Sequence, residues 1–307
     1  MKNLNDIQAI QQFQNLEFIA RQVVEGFITG LHRSPFHGFS VEFAEHRTYN
    51  KGESTKFIDW KLFARTDKLY VKRFEEETNL RCHLVIDHSG SMLFPYKENN
   101  VFNKLYFSVY TAAALIFLLR KQRDAVGMSL FSDKIDFYSL SKLSNIHAQL
   151  LFAELEKLLT PGADDLKKQT NAAQALHEIA EKIHKRSLVV VFSDMFDSGD
   201  KDNLFSALQH LKYRKHEVIL FHVTDHKLEE NFEYAHRPYK FIDMETGTEL
   251  KLNPNEIQEL FRKQYKDYKE EIKLRCLQNQ IDIIEADINM DFSKVLMAYL
   301  IKRAKLF

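Results

Sequence analysis

The loop Asp87-His88-Ser89-Gly90-Ser91-Met92 directly follows the apolar run His83-Leu84-Val85-Ile86, and three of its alternate positions carry side-chain oxygen. Asp87, Ser89 and Ser91 can converge on one hard cation, which takes oxygen ligands, while Gly90 permits a tight backbone path. One carboxylate is too little charge for a divalent ion, so further oxygens must come from other loops. Two candidates stand at suitable points in the pattern. Thr170 precedes the helical run Asn171-Ala172-Ala173-Gln174-Ala175-Leu176, and Asp194 ends the run Val189-Val190-Val191-Phe192-Ser193. Two carboxylates about 4 Å apart repel by roughly 4 kcal/mol at an effective dielectric near 20, so Asp87 and Asp194 side by side call for a cation. Mg²⁺ or Mn²⁺ meets that need, and Ca²⁺ accepts the same donors. Mg²⁺ also tends to keep water, leaving a position that an incoming acidic group can take. Plainer roles compete: Ser89 and Ser91 can cap the helix after them, Thr170 the helix from Asn171, and Asp194 a helix beyond Asp197-Ser198-Gly199-Asp200.

The elements that must position these residues are legible from Asn79 onward, where strand and helix patterns alternate. Strands are expected at Cys82–Ile86, Ala125–Phe131, Leu188–Phe192, Glu217–His222 and Ile281–Ala286. Helices are expected at Asn103–Gln122, Ile146–Leu159, Asn171–His184, Asn203–Lys212, Glu256–Gln278 and Phe292–Lys305. Continuous apolar strands interleaved with helices imply a doubly wound, mostly parallel α/β sheet. In such sheets ligands gather beyond the carboxyl ends of the strands at the topological switch point, which is where the Asp87 loop falls. Lys134–Leu140 follows its strand so closely that it should be an antiparallel edge hairpin, and residues 227–252 read as an excursion turning at Met244–Gly247.

Ahead of this α/β domain, assigned to residues 80–307, lies a family-specific segment, 1–79. Apolar residues at Ile7, Ile10, Phe13, Leu16, Ile19, Val23, Phe27 and Leu31 predict an amphipathic helix. Short β-prone pieces follow within residues 34–80: FSVEF, HRTYN, KFIDWKLFA and KLYVKRF. Trp60, the single tryptophan, is expected to anchor a core.

Composition narrows the function. With 43 Lys+Arg against 43 Asp+Glu, the chain lacks the overall basic charge of a dedicated nucleic-acid binder. The local cluster of Arg33, Arg47, Arg65, Lys72 and Arg73 is offset by Glu75-Glu76-Glu77, has no aromatic stacking platform, and reads as ion pairing; no nucleic acid is expected. Two cysteines, Cys82 and Cys276, form no Cys-x-x-Cys pair, which suits a reducing cytoplasm. The apolar run Leu105–Leu119 is too short and too polar to span a bilayer, so any membrane association is expected to be peripheral and through partners. His222 and His226 lie across a strand end rather than on one helix face and are expected to be ordinary histidines.

Together Asp87, Ser89, Ser91, Thr170 and Asp194 resemble the metal-ion-dependent adhesion site of von Willebrand factor A domains. The resemblance implies a Rossmann-type fold in which the serines and threonine ligate the metal, the aspartates help directly or through water, and one position stays open for a partner's carboxylate. Thr170 follows Lys168-Gln169 rather than the glycine often found there. A second resemblance covers residues 31–92. Gly38, Glu42 and Phe43, then Arg47, Tyr49 and Gly52, then Ile58-Asp59-Trp60-Lys61, then Ala64-Arg65-Thr66 look like the family called domain of unknown function 58, with Glu53 where aspartate is usual. That family is associated with MoxR-type AAA+ ATPases, which implies an adaptor role beside such a machine or its client. The resulting expectation is a non-enzymatic, metal-dependent interaction module. The alternative is a metal-dependent phosphohydrolase or nuclease at the same strand ends, although the second aspartate of the haloacid-dehalogenase pattern is missing from this loop.

Overall fold

The computed structural model describes residues 16–31, 46–48, 60–72, 80–96, 102–160, 171–196, 201–243 and 247–290. Strands β3 (Arg81–Asp87), β4 (Ala125–Phe131), β5 (Ile135–Lys142), β6 (Leu188–Ser193), β7 (Glu217–Thr224) and β10 (Asp282–Asp287) form one sheet in the order β10-β7-β6-β3-β4-β5. All neighbours run parallel except β4 and β5, which pair antiparallel with register shifts at Val126/Met128 and Leu130/Phe131. This is the expected α/β class with a mostly parallel sheet. β3, β4 and β6 are buried along nearly their whole length, because helices cover both faces and leave no solvent side on which polar residues could alternate.

One face packs on α3 (Lys104–Lys121), whose residues 104–116 are all buried. Asn103 caps it by accepting the Tyr106 N–H at 2.8 Å. The other face packs on α5 (Ala172–Lys182), α6 (Lys201–Tyr213) and part of α7 (Pro254–Gln278), through a core including Val85, Val189, Val191, Ile179, Leu208 and Ile272. Phe192 and Phe221, in register on adjacent strands, stack with centroids 4.9 Å apart. α4 (Asn145–Lys157) follows the edge hairpin.

α1 (Leu16–Leu31) buries Leu16 and Ile19 of the expected stripe together with Ala20 and Val24, which replace the half-buried Val23 as the next inward positions, and ties to its surroundings through Arg120–Glu17 and Leu16 N–H to Glu156. The earlier part of the expected helix and the final one, Phe292–Lys305, lie outside the described residues. The excursion after β7 holds the antiparallel pair β8 (Tyr239–Ile242) and β9 (Glu249–Leu252). No described helix is long and apolar enough to cross a membrane.

Two compact units divide the chain: Met1–Ile28 with Leu80–Phe307, and Thr29–Asn79. In the smaller one, β1 (His46–Thr48) pairs antiparallel with β2 (Tyr70–Lys72). Between them Trp60–Thr66 is a helix, α2, where a short strand was expected. Lys61, Leu62, Ala64 and Arg65 are good helix formers, and Trp60 and Phe63, three residues apart, meet edge to face at 6.1 Å. Asp67, at φ 52°, ends the turn. Trp60 is 59% exposed, so it is not the core anchor the sequence suggested. FSVEF lies outside the described residues.

The close approach of β5 to β4 depends on Gly127. A Cβ there would stand 2.6 Å from the Ser139 carbonyl oxygen and 2.7 Å from the Ser141 nitrogen, both backbone atoms of the edge strand. Gly127→Ala is therefore expected to displace β5 and lower stability by about 1–3 kcal/mol. Thermal unfolding checks this; an unchanged midpoint refutes it.

Candidate functional site

β3 and β6 are neighbours at the middle of the sheet, yet the chain leaves β3 toward β4 on one side and reaches β6 on the other. In open α/β sheets such a reversal marks where ligands collect beyond the carboxyl ends, and here Asp87 ends β3 while Asp194 directly follows β6. The Ser193 hydroxyl donates to Asp87 Oδ2 at 2.9 Å. Asp87 Oδ1 accepts the Ser89 N–H at 3.0 Å, which folds the loop back on itself, and Gly90–Leu93 follows as a short 3-10 turn. Asp87, Ser89 and Asp194 are buried, while Ser91 is half-buried.

Ser89 stands at the N-cap position of that turn but makes no side-chain capping bond. Its hydroxyl instead lies 3.2 Å from the Ser91 hydroxyl. Neighbouring oxygens of an octahedral shell with bonds of about 2.1 Å are about 3.0 Å apart, so the pair fits one edge of a hard-cation site. Among the described residues no group of three or more His, Cys, Asp or Glu could hold a metal ion, so a cation here would have to draw on these hydroxyls with Asp87. Burial, and then the nearby charge of Asp194, push the Asp87 carboxyl up to about 7 against the pull of Ser89 and Ser193. A cation there would relieve that strain.

Asp194 differs from expectation. Its Oδ2 accepts from the Lys104 ammonium at 2.7 Å, and its Oδ1 accepts the Phe196 N–H at 3.0 Å. The same ammonium reaches Glu229 Oε1 at 2.6 Å and lies 5.6 Å from the ring centres of both Phe94 and Phe196. Asp194 is thus not left for an incoming metal to neutralise; lysine already does so. Burial alone would drive Lys104 toward neutrality, but Asp194 and Glu229 overcome it and hold its pKa above the ordinary lysine range.

The surrounding chain is arranged to hold this contact. Glu229 belongs to a π-helical turn, His226–Glu230, and its second oxygen accepts the Asp225 N–H at 2.8 Å. Met195 adopts φ 59°, donates its N–H to the Ser193 hydroxyl, and accepts from Tyr268 through its carbonyl. His222 Nε2 donates to the Asp194 carbonyl at 3.1 Å, and burial lowers its pKa to about 4, so this ring is neutral and structural. His88 turns away from the loop, 2.7 Å from Asp136.

Thr170 lies outside the described residues. Its neighbour Asn171, not Thr170, caps α5, accepting the Gln174 N–H, and donates its own N–H to Ser132 at the end of β4. The residues brought together are therefore Asp87, Ser89 and Ser91, with Asp194 adjacent and engaged by lysine. Lys104 was missed from sequence because it merely precedes the apolar run. The usable signal was a cation in the first turn of a buried helix, where the helix dipole disfavours it unless acids meet it.

A family model described as "Protein of unknown function DUF58" matches residues 45–273, about three quarters of the chain. The chain belongs to the DUF58 family. Among curated relatives, uncharacterized proteins of Mycobacterium bovis and Mycobacterium tuberculosis are each 28% identical to this DUF58 chain over 116 residues, 38% of the chain and 36% of the relative. The DUF58 chain thus spans little more than a third of those relatives. Among solved structures, BatB from Bacteroides thetaiotaomicron is similar at 14% identity and TM-score 0.42, covering 74% of this chain and 99% of that one. An aerotolerance-related membrane protein from Bacteroides fragilis is similar at 16% identity and TM-score 0.41, covering 68% and 93%.

Proposed function

We propose that this DUF58 chain is a non-enzymatic protein-interaction module with a metal-ion-dependent adhesion site of the von Willebrand A type. Asp87, Ser89 and Ser91 hold a hard divalent cation, Mg²⁺ or Mn²⁺, and an acidic side chain of a partner protein completes its coordination. The cation supplies an electrophilic point for that carboxylate; the chain's residues fix its place at the strand ends. The observation that carries the reading is the Ser89–Ser91 hydroxyl pair, 3.2 Å apart beside Asp87 at the switch point. Hydrolysis at the same position gains no support from Asp194, which is held by Lys104 and the Phe196 N–H rather than free to act as a base.

The partner proposed is a MoxR-type AAA+ ATPase or its client, with the chain as adaptor. A cytoplasmic setting accords with the buried thiols of Cys82 and Cys276, with membranes reached through partners. Pull-down of a MoxR-type ATPase with millimolar Mg²⁺ is expected to lose at least about tenfold in yield on chelation or on Ser91→Ala, with Asp87→Ala as a further control. Capture indifferent to chelator and to both substitutions overturns the proposal.

A further inference from the structure

Three carboxylates, Asp87, Asp194 and Glu229, stand at or beside these strand ends, and one ammonium serves them unequally. Lys104 lies 2.7 Å from Asp194 and 2.6 Å from Glu229, whereas Asp87 takes its hydrogen bonds from the Ser89 N–H and the Ser193 hydroxyl. The lysine is 1% exposed and flanked by the Phe94 and Phe196 rings. Both acids it holds are fixed from behind, Asp194 by the Phe196 N–H and Glu229 by the Asp225 N–H. An ammonium placed this way is part of the site rather than a passing surface ion pair.

We infer that Lys104 is a resident counter-cation that withholds Asp194 from a divalent ion, so that the ion is taken through Asp87, Ser89 and Ser91 and tightly only when a partner adds its own acid. This rests on the proposed function for the location of the ion. Two effects act in the same direction. The ammonium occupies a ligand oxygen, and its charge repels a dication several ångströms away through a medium of low effective dielectric. A partner carboxylate replaces the charge that Lys104 has neutralised, which makes ion and partner bind together rather than in sequence.

Mn²⁺ binding by the full chain, followed by electron paramagnetic resonance, tests this with the double variant Lys104→Gln/Glu229→Gln. The pair of substitutions removes one charge of each sign and leaves an amide to face Asp194. Affinity for Mn²⁺ is expected to rise at least about tenfold over the unaltered chain. Adding Asp194→Asn is expected to abolish the gain. Equal affinity in the unaltered chain and the double variant overturns the inference and leaves ion-dependent docking standing. Binding by the double variant alone supports the inference, since the unaltered chain is expected to hold the ion tightly only with a partner, and no binding by either sinks both. Should the double variant not fold, crystals of the unaltered chain soaked in Mn²⁺ decide by anomalous scattering. An ion beside Ser89 and Ser91 with Lys104 still against Asp194 supports the inference, and an ion with Asp194 in its shell overturns it.

Discussion

Lys104→Met is expected to destabilise the chain by about 3–5 kcal/mol, the range typical of removing one member of a buried ion pair. The methionine fills much the same volume between Phe94 and Phe196, so the loss comes from charge rather than from a cavity. Buried Asp194 and half-buried Glu229 remain in place without the ammonium that both contact in the unaltered chain. Adding Glu229→Gln should recover part of the loss by deleting one of the stranded charges. Urea unfolding at pH 7.5 measures both. A Lys104→Met cost below about 1 kcal/mol would mean that the site stays wet enough to solvate its acids.

Raising the pH of the metal-free chain from about 4 to above 7 is expected to lower its stability, with Asp87 as the main contributor. A carboxyl whose native pKa is raised from 3.8 to about 7 binds more protons folded than unfolded across that window. Stability is then greatest below the unfolded value, declines as pH rises through the window, and levels off above the native value. The shift corresponds to roughly 4 kcal/mol at most, at about 1.4 kcal/mol for each pH unit. Asp87→Asn keeps an oxygen for the Ser89 N–H, should remove most of this slope, and should leave the variant more stable than the unaltered chain at pH 8 without metal. Millimolar Mg²⁺ is expected to flatten the same slope in the unaltered chain, since an ion that binds only the folded state stabilises it. Parallel pH–stability profiles for the unaltered and Asp87→Asn chains would remove Asp87 as the cause.

The doubly wound architecture could be read from particular runs. Ala125–Phe131 is a strand to the residue, because Val126, Met128 and Leu130 face one cover and the alternate positions face another, leaving a continuous apolar signature. The hairpin to β5 followed from a connection too short for a crossover helix. α2 was misjudged because aromatic residues raise β propensity by type, whereas the three-residue spacing of Trp60 and Phe63 suits a helix of two turns. At the candidate site, the closeness of Asp87, Ser89 and Ser91 was legible because all three lie in one short loop. The Lys104–Asp194–Glu229 contact was not. Its members are 90 and 125 residues apart, and nothing local in any of them announces the others.

The outermost strands bear on a different property, the tendency of sheets to keep growing. A strand at the rim exposes unpaired backbone groups that can template another chain. Among the described strands β10 bounds one rim and carries Asp282 and Asp287 near its two ends, with Glu285 neutralised by Lys269, so two copies laid rim to rim would bring like charges together. β5 bounds the other, and its two register shifts against β4 twist it away from the flat geometry that a docking strand requires. Each rim of the described sheet is thus blunted by a different device, one electrostatic and one geometric.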